Sequence, residues 1–326
     1  MYEISPYSPE LEKRWDRFVM NDSVNGAFLQ TRKFLNYHPE GRFTDASFFV
    51  EKSGIVVAVV PGCNVDGKFV SHQGSTFGGP IISKDFYSGY KILEIVKTID
   101  DYIVRNFKGV RLKPTASIFA SAPTDLLDYA LEHVGFCRHT ELSCYTPLSK
   151  DSDPLHLCTG YCRRNFRQSE KLNLAYGEIP DNEMETFYEC LKLSKARYNT
   201  TPVHSLAELR DLKQRFPSEI LFRGVWLNNE NGQDRVYLSG MMIFVFNQAK
   251  VFHFQYLAPD DTKRDTNATT ALFVNAMREA AKAGYEKFSW GISTEDGGAY
   301  LNENLYRFKE SFGALPSVNA RYEKSY

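Results

Sequence analysis

Near the end of the chain, residues 305–314 read LYRFKESFGA and put Lys309 directly after Phe308 and four residues before Gly313. A lysine beside a reacting carbonyl supplies fixed positive charge to a tetrahedral oxyanion, the species formed when an acyl or aminoacyl group passes to an amine. The same lysine also suits an ordinary helix end, where the dipole favours a solvated cation. A second candidate lies in YCRRNFRQSEKLNL. Arg163, Arg167 and Lys171 recur every four residues, so a helix would put them on one face, with Arg164 beside them and only Glu170 to offset the charge. Such a stripe either holds a diphosphate or the acceptor end of a tRNA, or is a solvated face. In VFHFQYLA, strand alternation places Val251, His253, Gln255 and Leu257 on one face and Phe252, Phe254 and Tyr256 on the other. His204 is either a base or a structural histidine. Cys158 and Cys162 stand four apart near His156, without a second ligand pair at zinc spacing, so packed reduced thiols are expected and no metal.

The elements that must hold these residues come in two similar runs. Residues 46–60 read as strand, Ser-Gly turn, strand, and KFVSHQGSTFGGPII extends the sheet into glycines that suit either close approach to a ligand or simple turns. Ile92, Ile95, Val96, Ile99 and Ile103 then have helical spacing, followed by a stop at Gly109, the strand GVRLKPT and a helix ending at Gly135-Phe136. The second run repeats the order: a strand pair with a polar Asn/Gly turn, the strand KVFHFQYLA, a helix with Leu272, Phe273, Ala276, Met277 and Ala280 on one face, the strand KFSWGIS, and LYRFKESFGA. Strand pair, strand, helix, strand, helix is a mixed α/β layer pattern. A period near half the chain predicts a duplication, divided at the polar stretch LSKDSDPLHL into domains 1–150 and 151–326.

The chain has 326 residues, a net charge of -1 and 43% hydrophobic residues. That is material for two real cores, and the balance of charge argues against RNA binding as the whole function. The start MYEISPYSPELEKRW has no cationic, apolar leader, and no run of 18 apolar residues occurs, so a cytoplasmic protein with no membrane span is expected. Neither GxGxxG after a strand nor GxSxG is present.

Several motifs carry a family resemblance: ALEHVGF at 130–136, RFKESFGA at 307–314, STFGGPI, YCRRNFRQSEKLNL, ARYNTTPVHS at 196–205 and FSWGIST. Their order resembles the GNAT acyltransferase fold, in the tandem form of the Fem-type peptidyltransferases and their GNAT-like relatives. The resemblance implies two GNAT-like domains, the first without chemistry of its own because Leu131 stands where a thiolate-protonating tyrosine would. It implies an acyl-CoA or an aminoacyl-tRNA as donor and a small-molecule or nucleotide-linked acceptor, an amine of a cell-envelope or polysaccharide precursor. It puts Lys309 and Phe308 at the reaction centre, Arg197 on an acceptor diphosphate, and the strand with His253, Gln255 and Tyr256 beside the acyl group. Arg264 and Asn267 fall in the loop that would cradle the coenzyme A pyrophosphate, where Asn267 and Thr269 replace the usual glycines and Asp265 adds negative charge. A solvated turn capping a helix explains that loop equally well. A catalytically silent scaffold that binds a nucleotide-sugar or peptide is the alternative function. No helical-arm insertion is expected in 181–217. In the last helix, Leu305, Phe308 and Phe312 are expected to be buried, with Phe308 as a floor and Lys309 emerging at the edge of a cleft.

Overall fold

The computed structural model describes residues 1–228 and 235–326; the expected Asn/Gly turn falls on 229–234, outside them. The chain divides into two compact units, the first made of residues 1–142, 294–299 and 318–326, the second of 143–293 and 300–317.

In the first unit, β1 (Glu3–Pro6), β2 (Phe48–Lys52), β3 (Ile55–Val60) and β6 (Ile81–Ile82) form an antiparallel sheet in that order. Short helices α1 (Glu12–Arg17) and α2 (Arg32–Leu35) accompany it, and Trp15, Phe18 and Val19 pack on Phe49, Val59 and Ile81. β4 (Gly62–Val65) pairs antiparallel with β5 (Lys68–Ser71), which runs parallel to β7 (Gly109–Leu112). Residues 322–325 extend this sheet by pairing antiparallel with β7, Tyr322 opposite Leu112. α3 (Gly89–Asn106) and α4 (Asp125–His133) close the core. The five isoleucine and valine positions expected on one face of α3 are all at most 1% exposed, and Leu131 on α4 is fully buried. α3 ends before its expected stop: Phe107 turns extended and Gly109 begins β7.

The second unit takes the end of β8 (Cys137–Pro147), then α5 (Gly160–Ser169), β9 (Leu174–Glu178), α6 (Met184–Ala196), α7 (Leu206–Arg215), β10 (Ile220–Asn228), β11 (Arg235–Phe246), β12 (Val251–Pro259), α8 (Ala268–Lys282), β13 (Lys287–Ile292), short β15 (Tyr300–Leu301) and α9 (Glu303–Glu310), while short β14 (Thr294–Glu295) belongs to the first. The final strand, β16 (Leu315–Ser325), leaves this unit for the first. The sheet order is β8-β13-β12-β11-β10-β9, antiparallel except between β13 and β12. α8 lies on it with Leu272, Phe273, Ala276, Met277 and Ala280 fully buried, as their spacing predicts. α6 and α7 are 13 and 10 residues long, so 181–217 holds no long arm.

The expected division at 150/151 is not where the structure divides. The chain passes between units inside β8, and LSKDSDPLHL is a turn and a 3-10 turn within the second. A strand carried straight through needs no polar linker, so composition had nothing to mark.

Candidate functional site

The one parallel pair of the second unit's sheet is also where it parts. The β12–β13 register covers Val251↔Lys287, Phe252↔Phe288 and His253↔Ser289 and stops there. Each strand then carries a bulge. On β12, Phe254 faces Ile243 and Tyr256 faces Met242, so Gln255 is the extra residue. An inserted residue reverses the alternation beyond it. Leu257 therefore joins Phe252 and Phe254 over the core under α8, and Tyr256 turns to the face of His253. The expected grouping, with Leu257 beside His253 and Tyr256 beside the phenylalanines, is corrected by this one residue.

On β13, Ser289 faces Tyr145 and Gly291 faces Cys144, with Trp290 between them. The Trp290 indole N–H donates to Thr146 Oγ1 at 2.9 Å, and Gly291 takes a φ of +70°. In a regular strand successive carbonyls point to opposite edges. Here Gly291 O and Ile292 O accept from the same donor, the Lys309 ammonium, at 2.9 and 2.6 Å, with Ser293 Oγ at 2.8 Å. The bulge and the left-handed glycine turn the end of β13 onto the lysine. A β-carbon on Gly291 would meet nothing nearer than His253 Cε1 at 3.5 Å, an ordinary contact, so the cost of Gly291→Ala is one of backbone conformation. We expect this variant to lose about 1–2 kcal/mol in urea unfolding; an unchanged midpoint would show that the +70° conformation is not required.

Lys309 is 2% exposed, whereas Leu305 and Phe308 are 39% and 38% exposed. Of the three residues expected inside, only Phe312 is buried, and the cleft-edge lysine and the Phe308 floor are both corrected. Asn302 caps α9, its side chain accepting from Leu305 N–H at 3.0 Å. That start turns Tyr306, Lys309 and Phe312 inward, three apart, and leaves Phe308 at the rim of the aromatic group Phe273, Trp290 and Phe312. Burial pushes Lys309 down to about 8. Three close acceptors keep it charged at neutral pH. Cys144, fully buried, has its thiol pushed up by burial, against the opposing pull of the Lys309 ammonium and the Ser293 hydroxyl.

A chain of polar side chains runs along the other face of β12. His253 is 8% exposed, with Nδ1 3.0 Å from Ser289 Oγ. Burial pushes it down to about 4; a hydrogen bond with Gln255 works upward and the Lys309 charge downward, so it is neutral at pH 7. Beyond half-buried Gln255, the Tyr256 hydroxyl is 2.7 Å from His204 Nδ1 and is pushed up to about 12 by burial. His204 is therefore built into the unit through Tyr256, while its neighbour Tyr198 is exposed.

The basic stripe is not a stripe. α5 ends at Ser169 with Glu170 as C-cap, so Lys171 lies in the turn beyond the helix. Arg163 folds back onto the carbonyls of Cys158 at 2.7 Å and His156 at 3.2 Å. Arg164 lies over the Tyr161 ring, and Arg167 is exposed. Arg197, at the C-cap of α6, pairs with Asp261 at 2.8 Å, and Arg264 pairs with the same carboxylate at 2.9 Å. Asn267 is left-handed at the start of α8, and its amide donates to Gln168 Oε1 at 3.3 Å. In HQGSTFGG, a β-carbon on Gly74 would strike the His38 ring, one on Gly78 Ser71, and one on Gly79 Pro61. These glycines admit the protein's own side chains and backbone.

Ser289, Ser293, Gly291 and Cys144 are the site residues that sequence reasoning missed. The first three lie in FSWGIST, whose alternating Ser, Gly and Ser was the available signal; nothing local marks Cys144 as their neighbour. Among the described residues no group of three or more His, Cys, Asp or Glu side chains could hold a metal ion, and no helix is long and apolar enough to cross a membrane.

No family model and no curated protein sequence matches the chain. Solved structures do. FemX aligns with a TM-score of 0.72 at 12% identity, over 99% of this chain and 97% of its own. L-PGS from Bacillus licheniformis aligns at 0.59 and 12% identity, over 98% and 93%. A tandem GNAT protein from the clavulanic acid biosynthesis pathway aligns at 0.53 and 8% identity, over 100% and 98%. With its mixed sheets, its parallel pair that parts after three residues and the helices on either side of β13, the chain has the fold of the Fem-like, tandem GNAT acyltransferases.

Proposed function

We propose that the protein is an N-acyltransferase that moves an acyl or aminoacyl group onto an amine of a cell-envelope or polysaccharide precursor, with its transfer site at Lys309. The observation that carries this is a buried ammonium held by three acceptors at the end of β13, where β12 and β13 separate. In such a transfer the amine nitrogen attacks the donor carbonyl and the C–N bond forms through an oxyanion. The bond to the donor's oxygen or sulfur then breaks, and the amine's proton ends on the leaving group. A fixed cation in a site shielded from water stabilises the oxyanion more than it could in solution.

The loop before α8 favours an aminoacyl-tRNA over acyl-CoA as donor. Arg264 is already paired with Asp261, Asp265 repels phosphate, and Asn267 and Thr269 bring β-carbons where glycines would allow close approach. Arg197, tied to Asp261, would meet an acceptor diphosphate only by giving up that pair. The test is to offer the full chain aminoacyl-tRNA and acetyl-CoA separately, with nucleotide-linked amines as acceptors. Label should leave the tRNA and appear on the amine, and acetyl-CoA should not raise the melting temperature. A true ligand at ~100 times its dissociation constant stabilises by about 2.7 kcal/mol, so a shift of that size with acetyl-CoA would reverse the donor assignment.

One observation favours a silent scaffold: all three Lys309 protons are donated within the protein. In that case Lys309→Met would unfold more easily while every donor and acceptor pair remained inert in the native chain.

A further inference from the structure

Cys158 and Cys162 form a buried pair that the proposed transfer does not use. Each is 2% exposed, in the same core cluster under α8. Cys158 immediately precedes Thr159, the N-cap of α5, and Thr159 Oγ1 accepts from the backbone N–H of Cys162 at 3.4 Å. The first turn thus folds the two side chains together, with each sulfur acting on the other's titration. Cys158 Sγ also points at Pro154 O, at 3.8 Å. The Nδ1 of nearby His156 is engaged by Asp153 O, and among the described residues the pair belongs to no group that could hold a metal ion.

The surroundings make the two thiols unequal. Cys162 sits in the first turn of α5, where the helix field eases the loss of its proton, whereas Cys158 lies before the N-cap, outside the helix. The neighbouring Cys162 sulfur and burial both hold the Cys158 proton above the usual range. One sulfur is thus suited to attack and the other to resolve. Cover over them is thin: Gly160 and Tyr161 are exposed, and a β-carbon on Gly160 would meet nothing.

We propose that Cys158 and Cys162 are a redox-active dithiol that closes to a disulfide across the first turn of α5 and loosens the end of α9 that seats Lys309. With oxidised glutathione as the two-electron oxidant, the Cys162 thiolate attacks one glutathione sulfur and releases a glutathione thiolate. Cys158 then attacks the Cys162 sulfur, the protein S–S bond forms, and a second glutathione leaves. The two thiol protons go to the two released glutathiones. The link to α9 is short. Thr159 N–H donates to Ser311 O at 2.9 Å, two residues beyond Lys309. Gly313, at a φ of +75°, would bring a β-carbon within 2.7 Å of Leu157 Cβ. The 3-10 turn into Cys158 and the turn after α9 are packed with no slack, so drawing the sulfurs to bonding distance displaces one against the other.

The test uses the full-length reduced protein and oxidised glutathione, with alkylation, tryptic digestion and mass spectrometry. Residues 151–163 form one tryptic peptide holding only these two cysteines. We expect it to lose two hydrogens and become unavailable to alkylation, while exposed Cys137 takes at most a mixed glutathione disulfide. In Cys158→Ala, Cys162 should stop at the mixed disulfide, which keeps the test decisive even if Cys162 variants fold poorly. Backbone hydrogen exchange at Thr159 should quicken by ~10-fold or more on oxidation and recover with dithiothreitol. Two free thiols after oxidation, or a mixed disulfide in the native chain, would overturn the dithiol; a disulfide with unchanged Thr159 exchange would overturn its link to α9.

Discussion

Lys309→Met should lose transfer by ~100-fold or more and should also unfold more easily, by about 2–4 kcal/mol in urea. A lysine at a cleft edge would leave folding untouched, but the buried one leaves Gly291 O, Ile292 O and Ser293 Oγ without their donor. Part of that loss is offset because the variant no longer buries a charge. The pH dependence isolates this side chain. Its folded pKa of about 8 lies below the ordinary 10.5, so between the two values the unfolded chain binds more protons and stability rises with pH. The contribution is complete above 10.5, is lost as pH falls to 8, and stays lost at neutrality. Subtracting the Lys309→Met curve from the native one should leave that slope, and a flat difference would mean an ordinary, solvated lysine. Transfer itself should fall as pH rises through 8, because the reaction needs the cation. A rate that rises there would assign the neutral amine as a base instead.

Removing residues 318–326 should prevent the first unit from folding. These residues give β7 its antiparallel neighbour, and Tyr322 is fully buried in the core with its hydroxyl donating to Asp128 at 2.8 Å. Lys324 and Tyr326 both reach Asp100 on α3, and Lys324 also donates to Val134 O at 2.9 Å. Losing the Tyr322 side chain alone should cost about 3–5 kcal/mol, so Tyr322→Ala is the graded form of the same experiment. Limited proteolysis followed by peptide mapping should show cleavage throughout 1–142 in the deletion. A deletion variant as resistant as the native chain would reduce the last strand to a passenger.

Much of this architecture was legible before any coordinates. α3 and α8 bury the apolar positions that their spacing selects, and Gly135, Gly284 and Gly313 follow helix ends with positive φ. What escaped turns on single residues. In LYRFKESF two inward faces compete, Leu305-Phe308-Phe312 and Tyr306-Lys309-Phe312. Hydrophobicity chooses the first; the Asn302 cap and the carbonyls waiting at the end of β13 choose the second. Gln255 is polar in a strand either way, so nothing local announces that it is inserted and that Tyr256 must change face. The four-residue rhythm of Arg163, Arg167 and Lys171 assumes a helix that lasts through Lys171, and α5 stops short of it. Charge pattern could not reveal that Arg163 is occupied by its own chain.

The return of the last strand to the first unit also sets an order of events in the cell. Tyr322 and Leu112 are neighbours about two hundred residues apart in sequence. On the ribosome, β7 therefore waits with an unpaired edge while the whole second unit is synthesised, so the usual advantage of finishing the N-terminal part first is lost. Closing so long a loop is slow, and an open strand edge invites pairing with other nascent chains until it closes. The protein's yield during synthesis should consequently depend on chaperone supply more steeply than its final stability alone would suggest.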